Sequence, residues 1–426
     1  MLRKIFLPAL LAALAGAAAI PARSEESSAP AAEPVELRQL VREALERNPE
    51  ILAAERVVES RRARIPQAKA WPDPMVTVGY GGQLLPPFTL MSGDPSSARQ
   101  FMAEQEIPYP GKTRLRGAIA AREADAEALT LEAVRRRVAA EVKQAYFELY
   151  AVDRSLEILR KDREVLERFA RVAEIRYSVG KGAQQDVLKA QVELSRLGER
   201  ETLLEQERRT LEAQLNSLRD FPTETPLGTT AVTEPSAFAY SLDDLASAAR
   251  TNFPLLERQR TMVEAGRLSV ELAEKEIRPD FSVGYTYMQR AGMGDMYGIT
   301  FSTTLPIFKR NKQHQAIREA SAMRQAARRM EQNELTVLDY RLRRSFAELQ
   351  AAGRLMKLYS QGIVPQSALA LESSVASYET GAVDFLTVLA NFTTVLEYEL
   401  AYHQQLAARE KALARLEELT GLELVR

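Results

Sequence analysis

The amino-acid sequence predicts a mainly α-helical chain with a small β portion. The chain is a tandem repeat of helix, two strands and long helical hairpin. Three observations lead there. Two stretches keep apolar residues at alternating spacings of three and four for far longer than a globular helix needs. Short blocks alternate apolar with small or polar residues. The landmarks of the first half recur in the second at nearly the same separations.

The N-terminus reads as a secretory signal over residues 1–23. Arg3 and Lys4 precede an apolar run from Ile5 to Ile20 that ends in small residues. The run is shorter than the ~20 residues a membrane span needs, and Pro8 interrupts it. No later stretch has eighteen consecutive apolar residues, so any membrane crossing by the rest of the chain is expected to use strands.

The first repeat is placed at 24–220. Residues 24–35 form a polar lead-in, and Leu37, Leu40, Val41, Ala44 and Leu45 mark a short amphipathic helix. Asn48-Pro49 ends it and starts the next, because Pro49 disfavours helical geometry at Asn48 but suits a first helical turn. After Trp71-Pro72-Asp73-Pro74, a strand is expected at about 75–80, with Val76, Val78 and Tyr80 on one face. A second strand is expected at about 100–107, although Gln105 interrupts its apolar face.

A helical hairpin follows over 111–218. Val138, Val142, Ala145, Leu149, Val152, Leu156 and Leu159 keep a 3.5-residue period, which belongs to left-handed coiled coils. Gly180 and Gly182 permit the reversal. Residues 221–240, with Pro222, Pro226 and Pro235, read as a linker.

The second repeat, 241–426, restates the plan. Asn252-Phe253-Pro254 matches Asn48-Pro49, and strands are expected at about 281–288 and 296–305. A hairpin is expected at 308–419, with a light kink at Pro365 and a reversal at Gly381. Pro49 to Pro74 and Pro254 to Pro279 are both 25 residues; Gly180 to Leu218 and Gly381 to Leu419 are both 38.

Composition removes several classes of function. A net charge of -1 argues against a nucleic-acid binder. The absence of cysteine excludes disulfides, thiolate metal sites, cysteine nucleophiles and a lipid-modified N-terminal cysteine. His314 and His403 lie 89 positions apart without metal-ligand spacing, and no histidine, cysteine or methionine cluster suggests a metal site. No phosphate loop, zinc motif or serine elbow is present. We therefore expect no enzyme, catalytic residue or cofactor.

Two strands per repeat cannot cover helices of this length, nor are they stable alone in water. Their faces, apolar and aromatic on one side and Ser, Thr, Gly and Glu on the other, have the pattern of membrane-barrel strands. Four strands leave open edges, which lipid does not tolerate, so several chains must share one barrel. A soluble four-stranded sheet is the competing reading.

The doubled Asn-Pro entry, the paired strand blocks and the two tip segments, Tyr177–Leu188 and Tyr378–Leu386, resemble the outer-membrane efflux factor (TolC-type) family. The resemblance covers nearly all of the chain after the signal. It implies a homotrimer in the outer membrane of a Gram-negative bacterium, with a 12-stranded barrel continued by an α-helical periplasmic tunnel. It also implies docking to a periplasmic adaptor and an inner-membrane pump, with export of small molecules or metal ions. Relatives narrow the periplasmic opening with an acidic ring. Asp384 matches its first carboxylate, and Thr387 stands where a second Asp would be. Gly180, Asp186, Gly381, Asp384 and Thr387 are thus the candidate aperture residues. Asp384 and Asp186 are equally suited to capping the returning helices. Gln105–Lys112 resembles the heavy-metal branch of the family. A periplasmic coiled-coil adaptor without a pore is the alternative, although an adaptor usually has one hairpin and many strands.

Overall fold

The protein's structure, a computed structural model, describes residues 35–82 and 89–425. The signal peptide at 1–23 and most of the lead-in fall outside the described residues. The first repeat consists of α1 (Leu37–Arg47), α2 (Pro49–Lys69), β1 (Met75–Gly81), β2 (Ala98–Ile107), α3 (Lys112–Ser178) and α4 (Gln184–Leu218). The second has α5 (Leu242–Asn252), α6 (Pro254–Lys275), β3 (Phe281–Arg290), β4 (Met296–Thr303), α7 (Gln313–Leu358), α8 (Val364–Thr380) and α9 (Phe385–Thr420). At 67 residues, α3 is about 100 Å long.

The heptad positions of α3, Val138 through Leu159, are all buried. Val138 through Leu156 share a core with Leu211 and Leu215 of α4, Leu413 and Leu416 of α9, Leu40 of α1 and Leu245 of α5, while Leu159 packs in a second core with Leu197 of α4 and Leu396 and Leu400 of α9. The short helices thus lie across the hairpins at the level of the largest core. Each fully buried leucine there contributes about 1.5–3 kcal/mol.

The duplication extends to individual hydrogen bonds. Asn48 Nδ2 donates to the Leu218 carbonyl at 2.8 Å, and Asn252 Nδ2 donates to the Thr420 carbonyl at 3.0 Å. Each asparagine fastens the end of its own repeat's returning helix. Asn48 also caps α2 by accepting from the Glu50 and Ile51 N–H groups. In the second repeat Phe253 occupies the cap position and no side chain caps α6.

Three regions add to or depart from expectation. Instead of a simple kink at Pro365, the helix widens into a π-turn over Tyr359–Ile363, with the Val364 N–H donating to the Tyr359 carbonyl. A wider turn is one way to adjust the ladder around a proline that has no N–H to donate. The segment 221–240 is laid against the helices: the Thr230 N–H donates to Asp153 Oδ2 at 2.8 Å, and Arg409 reaches the Ser236 carbonyl at 2.5 Å. The second hairpin also starts at Gln313 rather than at residue 308.

The strands form one antiparallel sheet in the order β1-β2-β3-β4. Its centre joins the two repeats through the register Ile107↔Phe281 to Ala98↔Arg290. One face carries Val76, Val78, Phe101, Val283, Tyr285, Tyr287, Tyr297, Ile299 and Phe301, with Phe101, Tyr287 and Tyr297 in a cross-strand aromatic row. Ile299 and Phe301 are 71% and 79% exposed in the single chain. The other face carries Thr77, Gln100, Glu104, Ser282, Thr286, Thr300 and Ser302. Gln105, the irregular residue on the apolar face, lies near the helical end, where its amide donates to the Pro72 and Glu106 carbonyls.

Candidate functional site

The two hairpin tips are built alike. Each long helix ends in a glycine with positive φ, Gly180 at 69° and Gly381 at 81°. Gly180 N–H donates to Tyr177 O and Lys181 N–H to Arg176 O; Gly381 N–H donates to Tyr378 O and Ala382 N–H to Ser377 O. These paired bonds satisfy the last carbonyls of each helix, and the left-handed residue they require explains the glycines. Nothing lies within 4 Å of a Cβ built on Gly180, so its requirement is conformational rather than steric.

The returning helices start differently. Asp384 is the N-cap of α9: its Oδ1 accepts from the Thr387 N–H at 3.0 Å and from the Thr387 hydroxyl at 2.6 Å. The hydroxyl first and the N–H second hold the Asp384 carboxyl below its ordinary pKa. Asp186 does not cap α4, although the sequence suits it to that role. Ala183 is the N-cap, and Asp186 lies inside the first turn.

One side chain joins the two tips. The Arg176 guanidinium lies 4.5 Å from the centroid of the Tyr378 ring. It donates to the carbonyl of Tyr378 and, at 3.4 Å, to that of Glu379. Around this staple, Ala173, Ala190, Tyr378, Phe385 and Val388 make a small core between the hairpins. The Tyr378 hydroxyl is buried without a hydrogen-bond partner. Burial first, and then the field of Asp186, raises the pKa of that phenol, with Arg176 opposing.

Gly180, Asp186, Gly381, Asp384 and Thr387 therefore share one end of the helical hairpins. Arg176 was not singled out in the sequence, and Tyr378 entered only as the first residue of a tip segment. The available signal was that Arg176 breaks the internal repeat, because its counterpart is Ser377.

The opposite junction, where helices meet sheet, has its own lock. Lys112 is 1% exposed and donates to the Arg278 carbonyl at 2.8 Å, with Asp280 at 2.9 Å and Glu276 at 3.1 Å as counter-ions. Asp280 also accepts from the Tyr109 N–H at 2.6 Å. Among the described residues no group of three or more His, Cys, Asp or Glu is placed to hold a metal ion. His403 Nδ1 lies 3.3 Å from the Tyr150 hydroxyl, and burial lowers its pKa. No described helix is long and apolar enough to cross a membrane.

Residues 40–219 match the profile of a family described as outer membrane efflux protein. The chain is 23% identical over 401 residues to the cobalt-zinc-cadmium resistance protein CzcC of Cupriavidus metallidurans, covering 92% of this chain and 91% of CzcC. Among solved structures, a membrane protein from Pseudomonas aeruginosa matches with a TM-score of 0.80 at 19% identity, covering 92% of this chain and 94% of its own. The outer-membrane channel OprN matches with a TM-score of 0.78 at 18% identity, covering 90% of this chain and 89% of its own. At these identities the structural likeness establishes the fold.

Proposed function

We propose that this chain, a member of the outer membrane efflux protein family, is the passive outer-membrane duct of a tripartite export system. The observation that carries the reading is the sheet. It is apolar and exposed on one face, polar on the other, unpaired at β1 and β4, and set on helices about 100 Å long. Open edges do not persist in lipid, so β1 of one copy must pair with β4 of the next. Three copies give twelve strands, with the polar faces lining a lumen.

The helical hairpins then form the periplasmic tunnel, and the tips form its far end. Arg176 holds the two hairpins of one chain together there, which suits a constriction that a periplasmic adaptor can loosen. Asp384 presents its carboxylate at the same end, and Thr387 leaves the ring with one carboxylate per chain rather than two. The duct does no chemistry; an inner-membrane pump supplies the energy. The adaptor reading fits less well, since both hairpins converge on a single sheet.

The likeness to CzcC and the segment Gln105–Lys112 support metal ions as cargo. Glu104 and Glu106 on the polar strand face suit cations.

Because the chain lacks cysteine, introduced pairs report closure cleanly. Cysteines at Val76 or Val78 on β1 and at Tyr297, Ile299 or Phe301 on β4 are expected to yield, for at least one pair, a covalent trimer in outer-membrane extracts. A set that gives only monomers, from folded protein, contradicts the shared barrel.

A further inference from the structure

The strands hold four methionines, Met75, Met102, Met288 and Met296. The register places all four on the polar face. None is on the apolar face, where a merely hydrophobic residue belongs and where Val, Ile, Phe and Tyr stand. The sequence suggested no methionine cluster, because these residues are scattered over more than 200 positions. Pairing collects three of them, Met102, Met288 and Met296, while Met75 lies opposite Glu104 toward the helical end. Met288 of β3 lies directly opposite Met296 of β4. On its other side Met288 faces Gln100, and Met102 is two residues along from Gln100 on the same face of β2. Directly opposed side chains have Cβ atoms about 5 Å apart and diagonal ones about 7–8 Å, within the span of long side chains.

The surroundings leave room for an ion. Gly79 is opposite Gln100, and Gly298 is opposite Thr286, the partner of Met102. The site lies toward the far end of the sheet, because the Met288–Met296 pair flanks the β3–β4 turn. There the Gly93 N–H donates to the Ala291 carbonyl, so the two strand loops meet at the same end.

Thioethers are soft neutral ligands that select monovalent copper or silver over hard or borderline divalent ions. We infer that Met288, Met296 and Met102 form a binding site for a soft monovalent metal ion on the inner wall of the barrel near its outer mouth. The inference rests on the reading of the polar face as a lumen. Neutral sulfur ligands hold such an ion without a carboxylate's charge, which suits a site that must also release it outward.

The test uses full-length trimer in detergent and Ag(I) as probe. Calorimetric titration is expected to show about one Ag(I) per chain at these residues, with sulfur ligation in the silver-edge X-ray absorption spectrum. The Met288→Leu/Met296→Leu double variant keeps apolar volume and is expected to weaken binding about tenfold or more. An excess of Zn(II) is expected to leave Ag(I) binding unchanged. Potassium conductance in planar bilayers, measured on both proteins, separates the two readings. A variant that conducts normally but has lost silver binding supports the site. A wild-type protein that conducts but shows no silver–sulfur ligation, or a variant that binds silver as the wild type does, overturns the site and leaves the channel standing. A folded trimer that binds silver through sulfur but never conducts overturns the lumenal placement.

Discussion

Thr387 donates both its hydroxyl, at 2.6 Å, and its backbone N–H, at 3.0 Å, to the same oxygen of Asp384. Thr387 thus steadies the Asp384 carboxylate. Because the folded-state pKa of Asp384 is depressed, the stabilisation by its carboxylate is present above the unfolded value of about 3.9 and is lost as pH falls through the folded value.

Thr387→Val removes the hydroxyl donor, so Asp384 should titrate at higher pH. Cation block of the channel from the tip side is then expected to fade at a higher pH than in the wild type. Thr387→Asp should strengthen that block at neutral pH by adding a second carboxylate beside Asp384. Bilayer recordings between about pH 3 and 7 check both. Identical pH profiles for Thr387→Val and the wild type would detach Thr387 from Asp384.

Arg176→Ala removes the guanidinium that bonds the Tyr378 and Glu379 carbonyls and covers the Tyr378 ring, and leaves the small apolar core between the hairpin tips in place. Tip-side opening is expected to rise about tenfold or more, read as the ratio of open to closed channels, since hydrogen bonds to charged groups contribute about 1.5–3 kcal/mol. Arg176→Lys should fall between, because an ammonium cannot lie flat on Tyr378 while bonding both carbonyls. No change in either variant would show that the tips are held elsewhere.

Lys112→Met leaves Asp280 and Glu276 without their buried cation where helices meet sheet. The expected loss is about 3–5 kcal/mol per chain, read as a lower unfolding temperature of the trimer. Adding Asp280→Asn should recover part of it by removing the orphaned charge. If the double variant is less stable than Lys112→Met, unpaired charge is not the cause.

Asp162 is buried on α3, and its pKa is raised to about 6, by burial first and by Glu399 second. The folded state thus holds a proton that the unfolded state gives up near 3.8. Stability should fall as pH rises from about 4 to 6 and stay low above that. The displacement, screened by the water that still reaches the group, is worth about 1–2 kcal/mol per chain. Asp162→Asn should flatten this part of the profile and raise the unfolding temperature at pH 7. A wild-type and a variant profile of equal slope would contradict it.

Features carried by local pattern were legible in the sequence. Val138 through Leu159 announce a coiled-coil seam by spacing alone, and Phe281 through Tyr287 announce a strand by alternation. Gly180 and Gly381 were found because a helix reversal needs positive φ. Features carried by distant partners were hidden. Asn48 reads as a helix boundary, but its bond to the Leu218 carbonyl spans 170 residues. Arg176 grips carbonyls about 200 residues away, and no side-chain complementarity advertises such a contact. Met288 and Met296 become neighbours only once the β3–β4 register is known. Asp186 shows the limit of position alone. Both returning helices are capped three residues after the tip glycine, at Ala183 and Asp384, and Asp186 stands three residues further on, inside the first turn.

The most direct test of the duct is planar-bilayer conductance of the purified trimer, wild type against Asp384→Ala. The structure predicts discrete channel openings in the wild type, and a weaker cation block from the tip side in the variant. A folded trimer that inserts into the bilayer but shows no conductance would contradict the central claim.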